Sequence, residues 1–197
     1  MAKSKTLLLA VVATGMLIAC SGVCSAFTLL TKEQALEEAF WKDATIETET
    51  RELTGKVLET VKDRIGGSLV YYQEGAEDQV VEERTSYEFF FVVGDDGERK
   101  AVSVIDTEPG KWGPVTYCIT MMMDGSIKSV KVMSFEEQRG RPIARLSYMN
   151  QYRGKNTGSD LEVGKDIIGI TGATISSRSA TFTVKKVLVI YDELFLN

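Results

Sequence analysis

The chain contains no histidine. That excludes a Ser-His-Asp or Cys-His catalytic constellation, c-type haem ligation and every metal site that needs imidazole. Cysteine is nearly as scarce: of three, Cys20 and Cys24 fall within the first 26 residues, which leaves Cys118 alone in the remainder. A single thiol forms no internal disulfide, no thiolate zinc site and no iron–sulfur cluster. Redox chemistry in this chain would therefore have to be carried by an organic cofactor. A basic stripe is also missing. The net charge is −5 for the whole chain and about −7 once the first 26 residues, with two lysines and no acid, are set aside. This balance argues against nucleic-acid binding and suits a basic or membrane-anchored partner. Internal repeats, low-complexity tracts and signs of a second domain are lacking, and 197 residues suit one ordinary domain behind a short leader.

The leader is residues 1–26. Lys3 and Lys5 precede an almost wholly apolar run from Thr6 to Cys20, and small residues follow. Basic, apolar and then small is the order of a secretory signal. The apolar run, about 15 residues, is short of the roughly 20 that a spanning helix needs, although an uncleaved anchor helix is the alternative. Two cleavage sites compete. Cys24-Ser25-Ala26 would release a domain starting at Phe27, whereas Leu17-Ile18-Ala19-Cys20 resembles a lipobox that would leave Cys20 lipidated and the domain held at a membrane surface.

Residues 27–197 read as one α+β domain: an antiparallel sheet with N-terminal helices and a closing C-terminal helix. A helix is expected over 27–45, with Thr31 and Gln34 as a capping box and Ala35, Leu36, Ala39 and Phe40 as its apolar stripe. A second begins near Thr54, shows Val57, Leu58, Val61 and Ile65 on one face, and stops at Gly66-Gly67. Strands are expected at 68–73, 86–93, 100–106, 115–122 and 127–135, with turns at Asp95-Asp96-Gly97 and Asp124-Gly125. The charged stretch 74–84 reads as a connection, and 136–164 as turns and short pieces. The last helix is expected over 176–195, with Ala180, Val184, Val187, Leu188, Tyr191 and Leu194 on its apolar face.

The most informative segment is Ile168-Gly169-Ile170-Thr171-Gly172-Ala173-Thr174-Ile175-Ser176-Ser177. It passes from an extended apolar approach into the last helix and packs four hydroxyl residues and two glycines into the crossing. The first amides of a helix lack intrahelical acceptors and lie at the positive end of its dipole. Glycine admits an anion close to the backbone, and Thr and Ser add donors, so a phosphate site is one reading. The plainer one is an N-cap in which Thr174 or Ser176 simply closes the helix.

Thr171-Gly172-Ala173-Thr174 followed by Ile175-Ser176-Ser177 resembles the signature of FMN-binding domains, a family that includes the flavin-carrying G subunit of Rnf complexes and the C subunit of the sodium-pumping quinone reductase. Gly110-Lys111-Trp112-Gly113-Pro114, the Asp124-Gly125 turn, Gln151-Tyr152-Arg153-Gly154-Lys155 and the terminal helix follow the family order, so the likeness spans roughly residues 31–195 and is closest to small secreted members. The resemblance implies FMN esterified through its phosphate to the last motif threonine, here Thr174, by a flavin transferase that uses FAD as donor. It also implies that Thr171 belongs to the cofactor-binding motif, that Gly172 and Ala173 allow close approach, and that Ser176 and Ser177 cap the helix and contact phosphate. One departure stands out: family motifs usually carry an aspartate six residues before the acceptor, and here that position is Ile168, with Asp166 two residues earlier.

Around the motif, Trp112 either stacks on the flavin ring or packs its own turn. Glu137 matches a family glutamate placed before a turn, or is a solvated charge. Arg139 and Arg141 either supplement phosphate or flavin charge or are surface residues. Tyr148 and Tyr152 read as packing, and Met121-Met122-Met123 as core and edge filling rather than a copper site. The expected function is an exported electron carrier of the bacterial envelope, periplasmic or on the outer face of the cytoplasmic membrane, serving redox partner proteins there. A flavin-free interaction module of the same fold is the alternative, and an oxidoreductase with its own substrate pocket a third.

Overall fold

A computed structural model describes residues 27–72, 81–135 and 143–197. The leader with its two cleavage sites and Cys20, as well as Glu137, Arg139 and Arg141, lies outside the described residues. The elements in chain order are β1 (Phe27–Thr28), α1 (Lys32–Ala39), β2 (Thr45–Glu52), α2 (Gly55–Ile65), β3 (Ser86–Val93), β4 (Arg99–Pro109), β5 (Pro114–Met122), β6 (Ile127–Phe135), α3 (Leu146–Met149) and α4 (Thr174–Tyr191). A 3-10 turn over Asn150–Tyr152 follows α3, and a π turn over Asp192–Leu196 follows α4. The strands form one six-stranded antiparallel sheet ordered β1-β6-β5-β4-β3-β2, so the expected α+β architecture is what the chain adopts.

Period-2 alternation decides which face each strand residue takes. Phe89, Phe91, Val102, Val104, Tyr117, Ile119 and Met121 point to the core face and are buried under α2 and α4. The opposite face carries Cys118 and Met133, packed with Ala35 of α1. Burial pushes the Cys118 thiol up to about 11, which leaves it inert as a nucleophile at neutral pH. In α1, Thr31 and Gln34 make the expected reciprocal capping box. Gly66 ends α2 in the left-handed region at φ 102°, where a side chain would be strained, and its amide and that of Gly67 both close on the Lys62 carbonyl.

Several boundaries differ from expectation. The helix expected over 27–45 is confined to Lys32–Ala39; residues 27–28 pair with β6 and residues 45–52 form the edge strand β2. Thr45-Ile46-Glu47-Thr48-Glu49-Thr50-Arg51-Glu52 offers almost no apolar stripe, and its pairing comes from backbone hydrogen bonds to β3 and from Glu47 and Glu49, which hold Arg99 of β4. Charge on an outer strand also discourages pairing with other chains. Residues 68–72 form no strand; Leu69 and Val70 are buried in irregular backbone. The last helix begins at Thr174, two residues earlier than expected, and its α-helical part stops at Tyr191. Among the described residues no helix is long and apolar enough to cross a membrane.

Candidate functional site

α4 is fixed in the core by its later turns. Val184, Val187, Leu188 and Tyr191 are buried, and the Tyr191 hydroxyl donates to the Met123 carbonyl at 3.2 Å. Its first turn lies where the chain rises from Ile167 through Ile170. There Ala173 donates to the Ile170 carbonyl at 2.9 Å, and Gly172 turns the backbone at φ 80°. A side chain at Gly172 would meet nothing within 4 Å, so the space above this turn is open and the glycine is needed for its φ alone.

The helix start carries no side-chain cap. Ala173 occupies the N-cap position, and Thr174 is the first helical residue. The N-cap reading of Thr174 or Ser176 therefore does not describe this terminus. The Ser177 amide donates to the Ala173 carbonyl at 2.9 Å, which is where the intrahelical ladder starts. Thr171, Gly172 and Thr174 are exposed, whereas Ser176 and Ser177 are buried. The Ser177 hydroxyl accepts from the Ile170 amide at 3.1 Å, tying the approach loop to the helix.

A hydroxyl network supports this turn from below. The Tyr152 hydroxyl lies 2.9 Å from Thr181 Oγ1 and 3.2 Å from the Tyr148 hydroxyl. Thr181 and Tyr148 both donate to the Ser177 carbonyl, at 2.8 and 3.3 Å. Both tyrosines are buried, in keeping with their packing role, yet their polar ends are what register the first turns of α4 against the 146–152 segment. Gln151 then clamps the approach loop: its carbonyl accepts from the Ile168 amide at 2.8 Å, and its amide donates to the Ile168 carbonyl at 3.3 Å. Sequence reasoning names Gln151 only within the Gln151–Lys155 run and gives it no role of its own; Tyr148 and Tyr152 at a four-residue spacing are the available signal for a helical face here.

An open cavity of about 390 Å³ adjoins the motif, lined by Arg145, Ser147, Tyr148, Gln151, Ile168, Gly169 and Ile170. That size suits a small aromatic ligand, with apolar walls from two isoleucines and one cation. Ile168 is 78% exposed, an open position for an aliphatic side chain. Asp166, two residues earlier, is engaged by its neighbours. Its carboxylate pairs with Lys155 at 2.8 Å and accepts from the Glu162 amide at 3.0 Å. Burial works against the charged form, but those two bonds outweigh it and hold the carboxyl below its usual range.

Trp112 stands on the β4–β5 hairpin, closed by the bond from the Gly110 amide to the Gly113 carbonyl at 2.9 Å. The indole is 58% exposed, with the Lys111 ammonium 4.9 Å from its ring centre. It belongs to a different element from the motif. Asp106 and Glu108 of β4 both bind Lys186 of α4, about three turns along the helix from Thr174. Met121 is core and Met122 is exposed at the end of β5.

The residues fit a phosphorylated planar cofactor: an exposed hydroxyl at an uncapped helix start, an open glycine turn and an adjoining cavity with apolar walls. Comparison with known proteins agrees with this chemistry. Residues 110–189 match the model of the FMN-binding domain family. The crystal structure of Shewanella oneidensis NqrC is similar with a TM-score of 0.53 at 14% identity, over 81% of this chain and 88% of that one, a likeness of fold. No curated protein matches at the level of sequence.

Proposed function

We propose, with residues 110–189 belonging to the FMN-binding domain family, that this chain is an exported flavoprotein that carries FMN on Thr174 and passes electrons between partners at the bacterial envelope. The observation that carries the proposal is the exposed Thr174 hydroxyl at the first position of an uncapped helix, next to the open turn at Gly172. In the attachment step the Thr174 oxygen forms a bond to the FMN phosphorus of FAD, the pyrophosphate P–O bond breaks, and AMP leaves with the proton balance completed by a flavin transferase. The positive end of the helix dipole would stabilise the phosphate charge there. The cavity beside Ile168 and Ile170 would hold the ring, with its wall kept in register by Gln151. When bound, FMN supplies the electron-accepting and electron-donating chemistry that the side chains lack.

The test is the intact mass of the mature protein from an exporting host that co-expresses a flavin transferase. Wild type is expected to gain one FMN less water, and Thr174→Ala to gain nothing. A flavin-free module of the same fold is the second reading, favoured by Ile168 at the usual aspartate position and by Asp166 being engaged with Lys155. A colourless wild type under the same conditions would select it.

A further inference from the structure

Most polar side chains lining the cavity beside the motif are already engaged. The Tyr148 hydroxyl donates to the Ser177 carbonyl, and both ends of the Gln151 amide are bonded to the backbone of Ile168. Ile168, Gly169 and Ile170 supply apolar wall. Two lining side chains stand exposed with polar ends, the Arg145 guanidinium and the Ser147 hydroxyl. Among the described residues no carboxylate lines this cavity, so Arg145 is its one charge and Tyr148 its one other titratable group.

That charge has no counter-ion. In a chain with 28 acidic and 23 basic residues, Arg51, Arg64, Arg84 and Arg99 each hold a carboxylate. Arg145 has no ion pair among the described residues, and Asp166, two residues before Ile168, is taken by Lys155. The base of Arg145 is nevertheless fixed. It stands at the N-cap position of α3, where its carbonyl accepts from the Tyr148 amide at 3.0 Å and the Met149 amide at 3.1 Å. An anchored guanidinium beside an apolar-walled cavity suits a planar ligand whose rim carries carbonyl oxygens and gains negative charge. We propose that Arg145, assisted by Ser147, binds the pyrimidine edge of the flavin and stabilises the negative charge that reduction places there. This inference rests on the flavin-carrying function proposed above and names the group that tunes it. Two electrons and one proton added to the ring leave one negative charge on it, whereas two electrons and two protons leave none. A cation at that edge favours the first outcome and raises the potential. The electrons come from a partner protein, or from dithionite in the test, and the proton from water.

The test uses the full chain from an exporting host with a flavin transferase, as wild type, Arg145→Gln and Arg145→Lys. Intact mass reports the flavin-bearing fraction, and dithionite titration against reference dyes gives the midpoint potential of that fraction across neutral pH. In wild type the potential should fall by about 30 mV per pH unit, the value for one proton with two electrons. Arg145→Gln should weaken the preference for the reduced form about tenfold, which lowers the potential by about 30 mV. It should also steepen the slope toward about 60 mV per pH unit, the value for two protons. Arg145→Lys keeps the charge and should keep the wild-type slope. A loaded Gln variant with the potential and slope of wild type overturns the role of Arg145 and leaves the flavin carrier standing. Equal falls for the Gln and Lys variants contradict a role for the charge. A wild type without flavin removes the carrier function, and this assignment with it.

Discussion

The two ends of α4 handle polar groups in opposite ways. At its start, the Thr174 hydroxyl is exposed, the helix is uncapped and Gly172 faces open space. Three turns later, Lys186 is sealed inside the molecule, 2.7 Å from Asp106, bonded to Glu108 and donating to the Leu69 carbonyl at 2.9 Å. Glu108 in turn accepts from the Tyr71 amide at 2.8 Å, and Arg84 closes the cluster onto Asp106 at 2.8 Å. Polar groups in the buried cluster are tied to partners and to the core, while Thr174 at the open end stands exposed. On the proposed function, one helix serves as a bolt in its later turns and as a docking point at its start, with the bolt holding the docking point still.

That contrast can be broken at the buried end with the largest effect. Lys186→Met leaves the buried Glu108 without its cation and Asp106 with Arg84 alone, and urea denaturation should show a loss of about 3–5 kcal/mol. Thr174→Ala should stay within about 0.5 kcal/mol of wild type in the same assay, because its side chain is exposed. Equal losses for the two variants would erase the distinction between the ends.

A pH series should single out Glu108 next. Burial lifts its carboxyl to about 7 from the ordinary 4.5, and the Lys186 charge offsets only part of that. For Lys186 itself, burial pulls downward but the carboxylates of Asp106 and Glu108 outweigh it and hold the ammonium charged. Between pH 4.5 and about 7 the folded protein retains a proton on Glu108 that the unfolded chain releases. This group's contribution to stability is therefore greatest below 4.5 and falls as pH rises through that window, by roughly 1 kcal/mol per pH unit. Glu108→Gln should flatten that part of the stability profile; an unchanged slope would show that Glu108 does not titrate there.

Tyr152→Phe removes the hydroxyl that joins Thr181 to Tyr148 beneath the motif. A loss of about 1–2 kcal/mol is expected, with increased amide hydrogen exchange confined to the 146–152 segment and the first turns of α4. Ile168→Asp should change stability least, within about 0.5 kcal/mol at so exposed a position. The fraction of protein carrying flavin should rise if the transferase reads an aspartate there, and an unchanged fraction would remove Ile168 as an explanation for poor loading.

The sequence was most readable where burial enforces a period. The four strands β3 to β6, the turn at Asp124-Gly125 and the capping box of α1 follow directly from alternation, turn chemistry and local hydrogen bonding. β2 was hidden because an edge strand with both flanks near water needs no apolar alternation, and its acids serve Arg99 instead. The start of α4 was misjudged by two residues because a hydroxyl was expected at the N-cap, whereas Ala173 sits there. The motif itself stood out in the chain. Its support did not: Gln151, the paired hydroxyls of Tyr148 and Tyr152, and Lys186 with its two acids are contacts between segments far apart in sequence. A hint existed for the last of these, since Asp106 and Glu108 continue the same alternation that buries Val102 and Val104.

The central claim is that Thr174 is where the flavin is attached, and fragmentation of the Asp166–Arg178 tryptic peptide tests it most directly. Cleavage after Lys165 and Arg178 releases a peptide that contains Thr171, Thr174, Ser176 and Ser177 together. In protein made with a flavin transferase, the added mass of FMN less water should localise to Thr174, with the other three hydroxyls unmodified. The same mass on Thr171, Ser176 or Ser177, or a peptide with no addition at all, would contradict the account.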